Sequence, residues 1–249
     1  VRPQVTGGCD RSLMNPARIV VVGTGYVGLT TGACLASLGH RVTCADVDRV
    51  KVARLSAGRV DIVEPGLPEL VQRGLADETL SFVVGAADAV TDADAVFLCV
   101  PTPMGAGGAA DLRAVEEVVT ELADRLPPGC AVVTKSTVPV GTARRISALL
   151  GRSDVPVVSN PEFLREGSAV DDFLGPDRIV VGSDTPEAAQ AVVDLYSELG
   201  APSVVADAAS AELVKYAANC FLAMKLSYVN SVAELCERFG ADIKSVTEG

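Results

Sequence analysis

Arg18-Ile19-Val20-Val21-Val22-Gly23-Thr24-Gly25-Tyr26-Val27-Gly28 joins a β-branched run to a small-residue run through three glycines. Ile19 to Val22 reads as a buried strand, and Tyr26 to Leu38 as a helix stopped by Gly39. The uncharged segment from Ile19 to His40 is long enough to tempt a transmembrane reading. Glycines at 23, 25, 28, 32 and 39 divide it instead into strand, turn and helix. In such a turn Gly23 permits the tight bend, Gly25 lets backbone approach a pyrophosphate, and Gly28 lets helix pack on strand. The helix N-terminus then offers free N–H groups and partial positive charge to phosphates. Asp46 ends the second strand; a carboxylate there accepts ribose hydroxyls and repels a 2′-phosphate, which favours NAD over NADP. Arg41 and Arg49 nearby keep NADP open. The competing reading is a plain glycine turn with Asp46 as a helix cap.

Composition narrows the rest. The 249 residues are 49% hydrophobic, and 32 acidic against 21 basic residues leave a net charge of −11, which argues against a nucleic-acid partner. One histidine, His40, excludes mechanisms needing a His pair or a Ser-His or Cys-His couple. Seven cysteines form no C-x-x-C pair, so no metal site is expected and the thiols read as small buried hydrophobes kept reduced. With no signal peptide or membrane span recognised, the expectation is a soluble, cytoplasmic protein.

Residues 1–16 read as a flexible extension. Strands are expected at 18–23, 41–45, 80–84, 95–100, 130–135, 155–159, 178–182 and 203–206, with helical stretches such as 111–125 and 186–199 between them. Buried strands alternating with helices define an α/β class: a Rossmann-like, doubly wound, mostly parallel sheet over 17–207. From 208 to 239 there is neither Pro nor Gly. Leu213, Ala217, Phe221, Met224, Tyr228, Val232, Leu235 and Phe239 form an apolar stripe on one long helix, so 208–249 is read as a connecting and dimerisation region.

Four segments carry candidate chemistry: Val100-Pro101-Thr102-Pro103, Lys135 to Thr142, Asn160 to Gly167, and Glu212 to Asn219. Lys215 and Asn219 share a helix face about 200° from the stripe, which aims them toward a cleft at the sheet's carboxyl ends. An ammonium there can stabilise an oxyanion, although pattern alone favours a solvated lysine. Glu162 and Glu166 are also four apart, but Pro161 and Gly167 make a continuous helix doubtful.

Together with Glu64-Pro65-Gly66-Leu67 and Pro176-Asp177-Arg178, these motifs resemble the UDP-glucose/GDP-mannose dehydrogenase family. Ser136-Thr137-Val138-Pro139-Val140-Gly141-Thr142 looks more like its UDP-glucose branch. The resemblance implies NAD as cofactor, a nucleotide sugar as substrate and a homodimer through the long helix. It implies oxidation of UDP-glucose to UDP-glucuronate; alternatives are a GDP-mannose or UDP-N-acetylhexosamine dehydrogenase, a β-hydroxyacid dehydrogenase or an inactive NAD-binding fragment. It assigns cofactor contacts to Gly23, Gly25, Val27, Gly28, Asp46, Lys51, Thr102, Thr137 and Glu166. The sugar falls to Glu162, Phe163, Leu164, Arg165, Glu166, Lys215 and Asn219. Thr137 positions a water, Glu162 acts as base, and Lys215 with Asn219 stabilises oxyanions.

The family's nucleophilic cysteine belongs to a Phe-Gly-Gly-Ser-Cys-type motif beyond the long helix, and neither Cys220 nor Cys236 replaces it. The sequence starts at Val1 and stops before that motif and before the UDP-binding domain. It is therefore expected to be an N-terminal portion, unable to complete the reaction alone.

Overall fold

The computed structural model describes residues 16–249; the expected extension at 1–16 falls almost wholly outside them. Eight strands form one sheet: β1 Arg18–Val22, β2 Arg41–Asp46, β3 Leu80–Val84, β4 Ala95–Leu98, β5 Ala131–Thr134, β6 Val157–Ser159, β7 Ile179–Gly182 and β8 Ser203–Ala206. Their order is β3-β2-β1-β4-β5-β6-β7-β8. Each pairing is parallel except β6 with β7. The helices are α1 Tyr26–Ser37, α2 Arg49–Ser56, α3 Leu67–Ala76, α4 Arg113–Leu122, α5 Thr142–Leu150, α6 Ala169–Leu174, α7 Pro186–Asp194, α8 Ala208–Phe239 and α9 Ile243–Glu248.

Because side chains alternate along a strand, one β-branched run feeds two cores. Ile19 and Val21 join Leu29, Leu35, Phe97, Val133 and Val181 on one face. Val20 and Val22 join Val96, Leu98, Val119, Val132 and Ile146 on the other. Burial on both faces explains why these strands read as continuous apolar runs. The segment 19–40 is thus β1 and α1, and no helix of the described residues is long and apolar enough to cross a membrane.

The reversal of β7 matters for the site. Register pairs Ser159 with Gly182 in opposite senses, so residues leaving the carboxyl end of β6 run beside those entering β7. Helix α8 then closes over this edge. Gly182 permits the approach, since a Cβ there would lie 2.4 Å from the Ala211 Cβ. The Glu212 carboxylate accepts from Gly141 N (2.6 Å) and Ala143 N (2.7 Å), fastening α8 to the start of α5. Only the first turns of α8 are held against the sheet; at 32 residues the helix extends roughly 48 Å. Leu213, Phe221, Met224, Tyr228, Leu235 and Phe239 are exposed along it.

Candidate functional site: a dinucleotide turn beside a polar cleft

The turn from β1 into α1 has the shape its glycines imply. Gly23 takes φ +96°, and a Cβ there would meet the Cys99 carbonyl oxygen at 2.7 Å. A Cβ on Gly28 would lie 1.9 Å from the Gly23 carbonyl oxygen. Gly25 differs: its φ is −67° and nothing lies within 4 Å of a Cβ built on it. The chain itself does not require glycine at 25, and its backbone is left open to the approach of a ligand. Helix α1 opens with no side-chain cap and no acidic residue in its first turn, so its positive end faces that open space. These residues fit a pyrophosphate.

Asp46 sits where the ribose reading needs it. Its Oδ2 accepts from Thr24 N (3.0 Å), the Thr24 hydroxyl and Lys51 Nζ (3.1 Å), and its Oδ1 from Asp48 N (3.1 Å). Burial works to raise this carboxyl, but the bonds from Thr24, Asp48 and Lys51 win and bring it down to about 2. Oδ1 receives one of the four bonds and can accept a hydroxyl. The cap of α2 is Asp48, accepting from Val50 N and Lys51 N, which removes the reading of Asp46 as a cap. Arg41 opens β2, roughly 16 Å from Asp46 along the strand, so of the two arginines only Arg49 lies at the ribose end. Val27 is half-buried against the core. Thr102 Oγ donates to the Thr137 carbonyl (2.9 Å), tying the turns after β4 and β5 together.

A cleft of about 640 Å³ lies at the edge where β6 and β7 run in opposite senses. Glu162, Phe163, Leu164, Arg165, Lys215 and Asn219 all line it. Lys215, expected from pattern alone to be solvated, is 7% exposed. Its Nζ donates to the Glu162 carbonyl (2.6 Å), pairs with Glu162 Oε1 (2.9 Å) and stands 5.3 Å from the Phe163 ring centre. Glu162 Oε2 accepts from Leu164 N (2.6 Å), so the carboxylate is oriented from both sides. Asn219 is exposed at the rim, one turn further along α8. Arg165 reaches Asp172 (2.6 Å) and holds that carboxyl below its usual range. Glu166 points away: it is exposed, is not among the cleft-lining residues and acts electrostatically on Tyr26. Thr137, Ser136, Pro161 and Lys215 border a smaller void of about 10 Å³, the scale of one water.

Several cleft residues lay inside quoted motifs without being chosen as site residues. Lys135 is buried on the floor, its Nζ donating to Asn160 Oδ1 (3.0 Å) and Tyr196 Oη (3.4 Å). Asn160 passes the link on, donating to the Val180 carbonyl (2.8 Å) across the antiparallel pair. The Arg178 guanidinium stacks 4.3 Å from the Phe163 ring centre. Each directly follows or precedes a strand, which was the available signal; Tyr196, past the end of α7, carried none.

The thiols correct one expectation. Cys34, Cys44, Cys99, Cys130 and Cys236 are buried, and burial pushes Cys34, Cys99 and Cys130 up to about 12. Cys220, on α8, is exposed. Among the described residues no cysteine lines the cleft.

A doubly wound sheet with a phosphate-ready turn and a polar cleft on one rim defines a dinucleotide-binding protein with a second subsite. Residues 17–200 match the model of the UDP-glucose/GDP-mannose dehydrogenase family, NAD binding domain, and 209–249 match its central domain. The chain belongs to this family, which decides against the β-hydroxyacid alternative. It is 44% identical over 243 residues to a UDP-glucose 6-dehydrogenase of Pseudomonas aeruginosa, covering 93% of this chain and 54% of that one. With UDP-glucose 6-dehydrogenase TuaD of Bacillus subtilis it shares 42% over 237 residues, 93% of this chain and 51% of the relative. The structure of a UDP-glucose dehydrogenase from Pyrobaculum islandicum superposes with a TM-score of 0.88 at 44% identity, covering 97% of this chain and 58% of that one. The chain spans about half the length of the curated relatives it matches.

Proposed function

We propose that this chain supplies the NAD site and part of the sugar site of an enzyme that oxidises the primary alcohol of a nucleotide sugar, with UDP-glucose the first candidate. The carrying observation is the Lys215–Glu162 pair, buried in a cleft on the same rim as an open dinucleotide turn. Gly23, Gly25 and Gly28 receive the pyrophosphate and Asp46, with Lys51, the ribose; Val27, Thr102, Thr137 and Glu166 complete the cofactor surface. NAD, when bound, provides the hydride acceptor.

Removing hydride from an alcohol requires its proton to leave and its oxygen to be stabilised. Lys215 holds an ammonium where that charge develops, and Asn219 adds an amide from the same face. Glu162 is the carboxylate available as base, with Thr137 placing a water beside it. Phe163, Leu164 and Arg165 contribute the sugar-nucleotide wall, from which the exposed Glu166 is turned away. No described cysteine reaches the cleft, so these residues account for hydride and oxyanion chemistry and not for covalent capture of an aldehyde. We assign 17–207 to the cofactor domain and 208–249 to the start of a dimerisation region, in a cytoplasmic protein.

The test follows NADH absorbance, using the protein at its full natural length, with UDP-glucose, GDP-mannose, UDP-N-acetylglucosamine and a small 3-hydroxy acid. NADH forms with UDP-glucose, and Lys215→Ala lowers kcat by about 10²–10³ while KM moves less. Turnover of the 3-hydroxy acid alone, or of no nucleotide sugar, overturns the reading.

A further inference from the structure

Glu64 is 3% exposed, yet it lies in neither the glycine turn nor the cleft lining. Its carboxylate accepts three hydrogen bonds from two distant segments. Oε2 takes the Tyr26 hydroxyl and Gly167 N (2.8 Å), and Oε1 takes Ala169 N (2.7 Å). Tyr26 is the first residue of α1, immediately after Gly25. Gly167 and Ala169 follow directly on the run from Glu162 to Glu166 and lead into α6. The Tyr26 oxygen also lies 3.2 Å from the Arg165 carbonyl. A single carboxylate therefore spans the gap between the phosphate turn and the sugar loop.

We propose that Tyr26 and Glu64 are positioning residues that couple the two subsites, so that filling the sugar site fixes the start of α1 and tightens the dinucleotide. The proposal rests on the two-subsite reading above. The chemistry suits it: the Tyr26 and backbone bonds hold Glu64 below the usual carboxyl range, so all three donors meet an ionised acceptor. Tyr26 has one hydroxyl hydrogen, and the carboxylate is its stronger partner. Phenylalanine at 26 cuts the tie to α1 and leaves the backbone bonds from Gly167 and Ala169 in place. Coupling is a difference between affinities, so a residue that merely stabilised the fold would weaken both ligands and leave their ratio unchanged.

The experiment titrates NADH fluorescence in the full-length protein with and without UDP-glucose, a pair at one oxidation level that cannot turn over. In the parent protein UDP-glucose tightens NADH at least about fivefold. In folded Tyr26→Phe, NADH alone still binds and the effect of UDP-glucose falls below about twofold. Glu64→Ala, which removes the acceptor from all three donors, gives the same loss and serves if Tyr26→Phe fails to fold. Coupling that survives in either folded variant, or that is absent from the parent, overturns the proposal. A parent protein that binds neither ligand overturns the two-subsite reading itself.

Discussion

At residue scale, Lys135 shows what a pattern cannot reveal. It directly follows β5 inside a quoted motif, but its cost lies in three dimensions: burial pushes its ammonium down to about 8, against the coulombic pull of Cys99, Glu162 and Cys34 and with the push of Lys215. The free chain holds a lysine proton up to about pH 10.4. Between those values the unfolded state binds a proton the folded state has released, so this residue's contribution to stability rises with pH, by up to about 1.4 kcal/mol per pH unit. Below about 8 both states are charged and its slope vanishes. The buried thiols, raised by burial, act in the opposite sense above about pH 8.5, so a difference curve is needed. Urea denaturation of the parent and Lys135→Met at pH 7 to 10 gives a stability difference that is flat to pH 8 and then rises in the parent's favour. A flat difference throughout refutes the burial account. Asp46 was legible in advance because a strand end, a glycine turn and a carboxylate are local features; Lys135 was not, because desolvation is set by residues far along the chain.

At the scale of elements, the β1–turn–α1 unit separates two reasons for glycine. Gly28 is required by the chain's own Gly23 carbonyl, and Gly25 by nothing in the chain. Gly28→Ala should therefore lower stability by several kcal/mol, about 3 or more, through overpacking against backbone. Gly25→Ala should leave the melting temperature within a few degrees and weaken NAD binding at least about tenfold, a loss near 1.4 kcal/mol. Thermal melts and calorimetric titration of the two variants check this, and a Gly25→Ala protein that binds NAD normally counts against the pyrophosphate placement. The expected strands at 80–84 and 203–206 coincide with β3 and β8, and the remaining six differ by two residues or fewer at each end. The antiparallel sense of β7 was not legible: Ile179 to Gly182 is as apolar as its parallel neighbours, and direction comes from the route of the preceding chain.

At the scale of the molecule, α8 is anchored to the sheet by its first turns, covered by α9 beside Cys236 at its far end, and exposed between. Ala208, Ala211, Glu212 and Lys215 face the sheet, whereas Met224, Tyr228 and Phe239 stand 61%, 69% and 82% exposed. An apolar face of that extent marks an interface, and a second copy of this chain is the partner proposed for it. Sedimentation of the full-length protein should show a dimer, and Met224→Glu with Tyr228→Glu should dissociate it; a parent that stays monomeric at tens of µM ends the proposal. By itself the sequence determined the strand–helix alternation, the glycine turn, the carboxylate ending the second strand and the helix face shared by Lys215 and Asn219. All four follow from periodicity and from the backbone demands of neighbouring residues. Tertiary structure alone decided that Lys215 is buried against Glu162, that Glu64 joins Tyr26 to Gly167 and Ala169, and that Glu166 leaves the cleft. Those outcomes depend on where chains separated by tens of residues come to lie, and on how much water is excluded when they meet.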